Sequence, residues 1–324
     1  VCSSDLEEAI AIDVESRPIK ILTYNMYLRP MFVSAAGHDH KDSRLKIFCR
    51  ERMPEFDIIC FQEVFKELNW RREKLLKKAK KAGFKYRIQT EKPIFPLFIC
   101  DAGLVIVSKF PIVEHQFRMY TRGIYADAVA SKGVLYAKIE VAPEKYIHVF
   151  DTHTQADYTL DPIKAKPSRD RRMIHVREYA EFVQEKTTGN NHPAICCGDF
   201  NVNGRAGTDG TTESPEYTEF LENFVIPNGE LTDLLLRDNH GVQPVTFGDS
   251  FIDASGTETP CDTEITYESQ CMDKSRLDYI FYLHRPNEDP LITCKNCHVD
   301  KFPVRGKKFP FMSDHYGVTC EICL

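Results

Sequence analysis

ICCGDFNVNG (195–204) sets two adjacent cysteines directly before Gly-Asp-Phe-Asn. The apolar half, introduced by HPA (192–194), reads as a buried strand, and the polar half begins where that strand ends. Successive side chains of a strand alternate between its faces. Cys196 and Cys197 therefore point to opposite sides and do not easily share a small site. They fit as small apolar fillers on the two faces of a buried strand. Gly198 lets the backbone turn closely. If the extended geometry persists, Asp199 and Asn201 share one face and Phe200 turns to the other.

Working outward, PIKILTYNMYL (18–28) and FDIICFQEVF (56–65) are further apolar runs that end in polar residues. FKYRIQTE, CDAGLVIVSKFPIVEHQFRMY, KGVLYAKIEV, KYIHVFDTHTQ, SRLDYIFYLHRP and the tail MSDHYGVTCEICL supply more strands. Helical periodicity covers 41–53, the basic run WRREKLLKKAKKAG that stops at Gly83, MIHVREYAEFVQEK (173–186) and PEYTEFLENF. In MIHVREYAEFVQEK, positions 174, 176, 179, 180 and 183 hold the apolar face. TFGDSF through TYES is a long polar excursion. Many strands with few helices between them predict an α/β chain of two sheets packed face to face, with helices outside. A doubly wound parallel sheet would need a helix after nearly every strand. We expect residues 1–17 to be an extension and 18–324 a single catalytic domain.

The 324-residue chain carries a formal net charge of −6, which makes long-range attraction to nucleic acid weak. Its apolar runs, such as PIFPLFIC (93–100), are far too short to span a bilayer. Twelve cysteines are many for a cytosolic chain and few for a disulfide-dense secreted one, so the redox compartment stays open. Cys261 and Cys271 bracket a polar stretch and could bond.

Asn25, Glu63, His153, Asp199, Asn201, Asp278, Asp314 and His315 each lie at, or just beyond, a strand-like run. One such residue alone is a cap or a turn former; the whole set points to a common rim. Carboxylate and amide oxygens suit Mg²⁺ or Mn²⁺ rather than soft metals. The histidines suit proton transfer and the amides suit hydrogen bonding to phosphoryl oxygens. Spacing alone does not bring these strands together.

With the motifs LTYNMY, FQEVF, GLVIVSKFPI, ADAVASKGVLYAKI, HVFDTHTQA, GDFNV, SRLDYIF and SDHYGV, the chain resembles the endonuclease/exonuclease/phosphatase superfamily from about Lys20 to its end. THTQA and ASKGVLYAKI, with the later KPSR, make it most similar to the neutral, bacterial-type sphingomyelinases. The resemblance implies a DNase I-like four-layer α/β/β/α sandwich of two mainly antiparallel sheets. It also implies Mg²⁺-dependent hydrolysis of sphingomyelin to ceramide and phosphocholine, with Mn²⁺ or Co²⁺ able to substitute. Glu63 would be the principal metal ligand with Asn25 beside it. Asp199 would lie near the metal or the attacking water, and Asn201 would donate to a phosphoryl oxygen. His315 would be the general base, oriented by Asp314. His153 would stabilise the phosphoryl oxygens or help the leaving oxygen, and Asp278 would support the metal-water network or His153. Lys132 would lie near the lipid phosphate or headgroup. The expected partners are a lipid substrate and a peripheral membrane surface, with no nucleic acid, for a monomer that is secreted or membrane-peripheral; a cytoplasmic location stays open.

Two segments are candidates for membrane contact: 285–312, with Phe302, Phe309 and Phe311 among lysines, and PIFPLF (93–98). CKNCH (294–298) fits a haem attachment pattern literally, and Cys294, Cys297, Cys320 and Cys323 form CxxC…CxxC, a zinc-like spacing that strand alternation at 320–323 opposes. The alternatives within the fold are a lysolipid phosphodiesterase, a nuclease and an inositol-polyphosphate phosphatase. An inactive binding scaffold is the alternative of another class, and His38 and His40 would rim the substrate entrance or simply face solvent.

Overall fold

A computed structural model describes residues 17–30, 39–67, 69–91, 96–159, 161–285 and 292–324. His38, Cys2 and residues 93–95 of PIFPLF lie outside them. The chain order is β1 (Ile19–Leu28), α1 (Lys41–Glu51), β2 (Ile58–Val64), α2 (Arg71–Lys81), β3 (Tyr86–Gln89), β4 (Val105–Ser108), β5 (Ile112–Met119), β6 (Gly133–Ala142), β7 (Lys145–His153), α3 (Pro162–Thr187) and β8 (Ala194–Asp199). It continues through α4 (Pro215–Asn223), β9 (Glu230–Asp233), α5 (Leu234–Asp238), β10 (Ser250–Ile252), β11 (Glu258–Pro260), β12 (Asp278–His284), β13 (Thr293–Asp300) and β14 (Gly317–Cys323).

Two six-stranded sheets carry the fold, in the orders β13-β14-β1-β2-β4-β3 and β5-β6-β7-β8-β12-β9. Each holds one parallel pair, β1 with β2 and β7 with β8, at its centre; the other pairings are antiparallel. A central strand covered on both faces reads as a continuous apolar run, and this is why ILTYNMYL and AICC carry so few charges. Ile21, Cys60, Val149, Cys197 and Ile280 fill the space between the sheets. Leu22, Phe48, Phe61 and Leu75 fill the space under α1 and α2. Phe150, Val176, Cys196 and Phe220 fill the space under α3 and α4. The layers are therefore helix, sheet, sheet, helix. Cys196 and Cys197 do face opposite ways, into different cores.

α3 begins at an Asp161 cap whose carboxylate accepts from the Ile163 amide at 3.0 Å, with Pro162 in the first turn. Its buried face takes Met173 and Phe182 beside Val176, Tyr179, Ala180 and Val183, while Ile174 is only half-buried. CKNCHV forms most of β13, an antiparallel partner of β14 with a bulge between Lys295 and His298. Cys294, Cys297 and Cys320 all enter the core between the sheets. No disulfide forms among the described residues, and Cys261 and Cys271 remain separate thiols.

Of the candidate membrane segment 285–312, residues 286–291 lie outside those described, and two of its three phenylalanines face the core. Phe302 packs among Tyr24, Phe48 and Phe56 at ring distances of 5.2–6.2 Å, and Phe309 is buried in the same cluster. Phe302 and Phe309 thus close the edge of a core, while Phe311 is half-buried against Tyr316 with ring centroids 5.2 Å apart.

Candidate active site

Strand pairing delivers the polar rim. In the second sheet β7 and β8 pair in register with His153 opposite Asp199, and β8 and β12 with Asp278 opposite Asp199. Asp199 thus stands between a histidine and a carboxylate that the chain keeps far apart. From the first sheet, Asn25 reaches across and donates its amide to Asp199 Oδ2 at 2.9 Å, and to Glu63 Oε1 at 3.4 Å. Its own oxygen accepts from the Tyr27 backbone at 3.0 Å. Asn25 therefore bridges two carboxylates as a donor across the sheets.

Asp278 Oδ2 bonds His315 Nδ1 at 2.9 Å, and His315 Nε2 faces Asp199 Oδ2 at 3.8 Å. Asp278 thus holds the place expected of Asp314 beside His315; of its own two expected roles, the metal-water network or His153, it makes no bond to His153. Asp314 lies in a bend and instead accepts from the Ser313 hydroxyl at 3.2 Å. His153 Nε2 lies 3.6 Å from the same Asp199 oxygen, and its buried Nδ1 has no hydrogen-bond partner. Asn201 adopts a left-handed φ of 52°, ending the strand alternation. Its backbone amide donates to Asp199 Oδ1 at 2.9 Å and its side chain to Thr154 O at 3.3 Å. Phe200 still turns into the outer core. Lys132 is buried, donating to Thr154 O at 2.6 Å and pairing with Asp127 at 3.1 Å; it borders the cleft without touching Asp199 directly.

The two histidines have opposite proton preferences. Burial, with Lys132, His315 and His175 adding positive charge, holds His153 far below the usual imidazole range. Burial also opposes charge on His315, but the Asp278 and Asp199 carboxylates overcome it and hold the ring well above that range. Burial raises Asp199, against the pull of His315, and pushes Asp314 up to about 7.

Glu63, Lys132, His153, Asp199, Asn201, Asp314 and His315 line a cleft of ≈ 630 Å³, with Asn25 and Asp278 behind them, and the cleft also takes in Tyr27, Arg29, Asp127, Tyr158, Phe247 and Tyr267. The sequence reading missed those six. Tyr27 and Arg29 follow Asn25 at steps of two, which is a usable signal. Arg29 bonds the Tyr27 hydroxyl and donates to the Tyr267 hydroxyl at 3.2 Å. Phe247 packs on the His315 ring with centroids 4.9 Å apart, and nothing local marked it.

The residues fit a hard divalent cation. Glu63 Oε2 and Asp278 Oδ1 are buried without a hydrogen-bond partner, and unpartnered buried carboxylate oxygens are costly unless a cation or water meets them. Asp199, Asp278 and His315 offer ligand atoms within 4.8 Å of one another. In that trio His315 is already bonded to Asp278, so the free oxygen of Glu63, beside Asn25 and Asp199, is the stronger mark of the cation's place.

The model of the Endonuclease/Exonuclease/phosphatase family matches residues 22–315. A sphingomyelinase of Dictyostelium discoideum is 32% identical, over 82% of this chain and 71% of that protein. A phospholipase C of Staphylococcus aureus is 28% identical over 64% of this chain, which spans 61% of its length. A beta toxin mutant from the same bacterium, solved with bound magnesium ions, superposes with a TM-score of 0.65 at 22% identity, covering 94% of this chain and 99% of its own. That structural likeness establishes the two-sheet fold.

Proposed function

The chain belongs to the endonuclease/exonuclease/phosphatase family and is a phosphoric diester hydrolase, and on that premise we propose that it cleaves sphingomyelin to ceramide and phosphocholine. The similarity to a sphingomyelinase over most of the chain supports the lipid class. One observation carries the chemistry: His315 is held through Nδ1 by Asp278, which turns its Nε2 towards Asp199 in the cleft.

His315 is the general base. It removes a proton from the attacking water as the water oxygen bonds to phosphorus; the bond from phosphorus to the ceramide oxygen breaks, and the leaving oxygen takes up a proton from solvent water to give ceramide. His153, kept neutral by burial, donates a hydrogen bond to a phosphoryl oxygen as charge builds there. Asn201 adds a second donor, and Lys132 biases the cleft towards an anion. Glu63 and Asp199, with Asn25 beside them, would hold Mg²⁺, with Mn²⁺ or Co²⁺ able to replace it. Such an ion, when bound, offsets the negative charge of the diester and lowers the pKa of a nearby water. Asp199 would then hold the His315 proton less strongly, its charge being offset, and the base would work nearer neutral pH.

The test is release of phosphocholine from sphingomyelin, phosphatidylcholine and lysophosphatidylcholine, with and without Mg²⁺, beside a plasmid-nicking control. Mg²⁺-dependent release from sphingomyelin is expected. Nicking without lipid cleavage would sink the reading, and preference for the lysolipid would move the substrate within the same class.

A further inference from the structure

A phosphocholine lipid sits in a bilayer, and among the described residues no helix is long and apolar enough to cross one. On the reading above, the enzyme must meet its substrate at a surface, so the apolar groups around the cleft mouth matter. Leu97, Ile99, Tyr125 and Tyr158 are 55%, 61%, 58% and 49% exposed, large values for side chains of this size. They belong to one patch. The Ile99 amide donates to Val129 O at 2.8 Å, and the Cys100 amide to the same oxygen at 3.0 Å. Tyr125 packs edge-on against Tyr158 with centroids 6.2 Å apart. Val129 and Tyr158 also line the cleft, so the patch runs into the site without a break.

We propose that Leu97, Ile99, Tyr125, Val129 and Tyr158 form the face that docks on a lipid bilayer and presents the headgroup to the cleft. Tyrosines and aliphatics together suit the boundary between headgroups and acyl chains. Charge agrees. Exposed Arg122 lies with its guanidinium 5.6 Å from the Phe98 ring, anchored by an Nε bond to Ala128 O at 2.8 Å. It offers a cation to lipid phosphates. The carboxylates of the same segments are engaged inward: Asp101 with Arg72, Asp127 with Lys132 and Asp157 with Arg172. The face therefore presents apolar surface and a cation, with its acids turned away. An exposed apolar patch of this kind marks an interaction site. The patch includes Leu97 of PIFPLF, one of the two segments expected to contact a membrane; in the other, 285–312, Phe302 and Phe309 point into the core.

The experiment uses the full chain with flotation on vesicles of phosphatidylcholine and sphingomyelin. Two variants are compared with wild type, Leu97→Ser/Ile99→Ser and Tyr125→Ser, none of these residues being part of the catalytic floor. Val113→Ser, on exposed β5, is the control. The double variant is expected to lose vesicle binding by about tenfold or more and vesicle hydrolysis with it. Its cleavage of a soluble short-chain sphingomyelin should stay within about twofold of wild type. Matching thermal melts exclude misfolding. Unchanged vesicle binding in both variants overturns the proposal. So does a wild type that binds no vesicles and whose patch variants instead convert a dimer to a monomer in sedimentation. Vesicle binding lost in the variants of a wild type that cleaves no phosphocholine lipid would leave the docking face standing and remove the functional reading.

Discussion

His153 and His315 approach one carboxylate oxygen, yet burial drives one towards neutrality while Asp278 and Asp199 hold a proton on the other. Because a base works only when neutral, kcat/KM should rise with pH through the His315 titration. Asp278→Asn removes a charge that raises this pKa, so the rising limb moves to lower pH. The ring also loses the charged partner that fixes its tautomer, and the plateau should fall by about 10²-fold or more. A pH profile of kcat/KM checks both, and a limb that stays in place would show that Asp278 does not set the proton on His315. Glu63→Gln removes the charge of a half-buried carboxylate, one oxygen of which is buried, near Asp199 and Asp314. Without metal the variant should melt higher by roughly 2 °C, as expected when like charge is relieved at a functional site. It should also lose the rise in melting temperature that Mg²⁺ gives the wild type. All eight rim residues were visible in the sequence as polar residues at strand ends. Their partners were not, because Asp278 and Asp314 look alike on paper and only the direction of each side chain separates them.

β8 shows how a single element carries the site. Gly198 has φ +136°, and a Cβ there would sit 2.2 Å from Thr152 O of the paired strand. Gly198→Ala must push β7 and β8 apart just where His153 faces Asp199. A loss of about 2–4 kcal/mol in denaturant unfolding, with activity reduced further than stability explains, is expected. Cys197→Ala should behave differently. It removes one buried atom from the core between the sheets and should cost about 1–2 kcal/mol while leaving kcat within about twofold. A collapse of activity there would return the thiol to the chemistry. Among the elements, periodicity placed the long strands and the apolar half of α3 but missed residues 162–172, where the helix is polar and contains Pro167. It assigned no strand at β13, where a bulge interrupts the alternation, and it set Ile174 where Met173 packs. A bulge breaks the period of two, and a helix face as wide as that of α3 admits either neighbour.

At the scale of the molecule, the two sheets are tied by buried polar bonds as well as by apolar packing. Gln62 from β2 donates to Asp151 Oδ1 of β7 at 2.6 Å, and burial raises Asp151 well above its ordinary range. Folded Asp151 keeps a proton that the unfolded chain gives up near pH 4. Stability therefore falls as pH rises from that point towards the folded value, and the deficit is full above it. Asp151→Asn keeps an acceptor for Gln62 and removes the titration. Its melting temperature should exceed wild type at pH 8 and show a flatter decline above pH 4; a parallel pH curve would refute the assignment. By itself the sequence determined which segments are strands buried on both faces, that Cys196 and Cys197 pack rather than react, and that hard oxygen donors and histidines stand at strand ends. Those are properties of composition and short spacing. Tertiary structure decided that Asn25 meets Asp199 across 174 positions of chain, that Asp278 holds His315, and which aromatics face inward. Such neighbours arise from strand register and from the packing of one sheet on another, and neither is written in the spacing of residues along the chain.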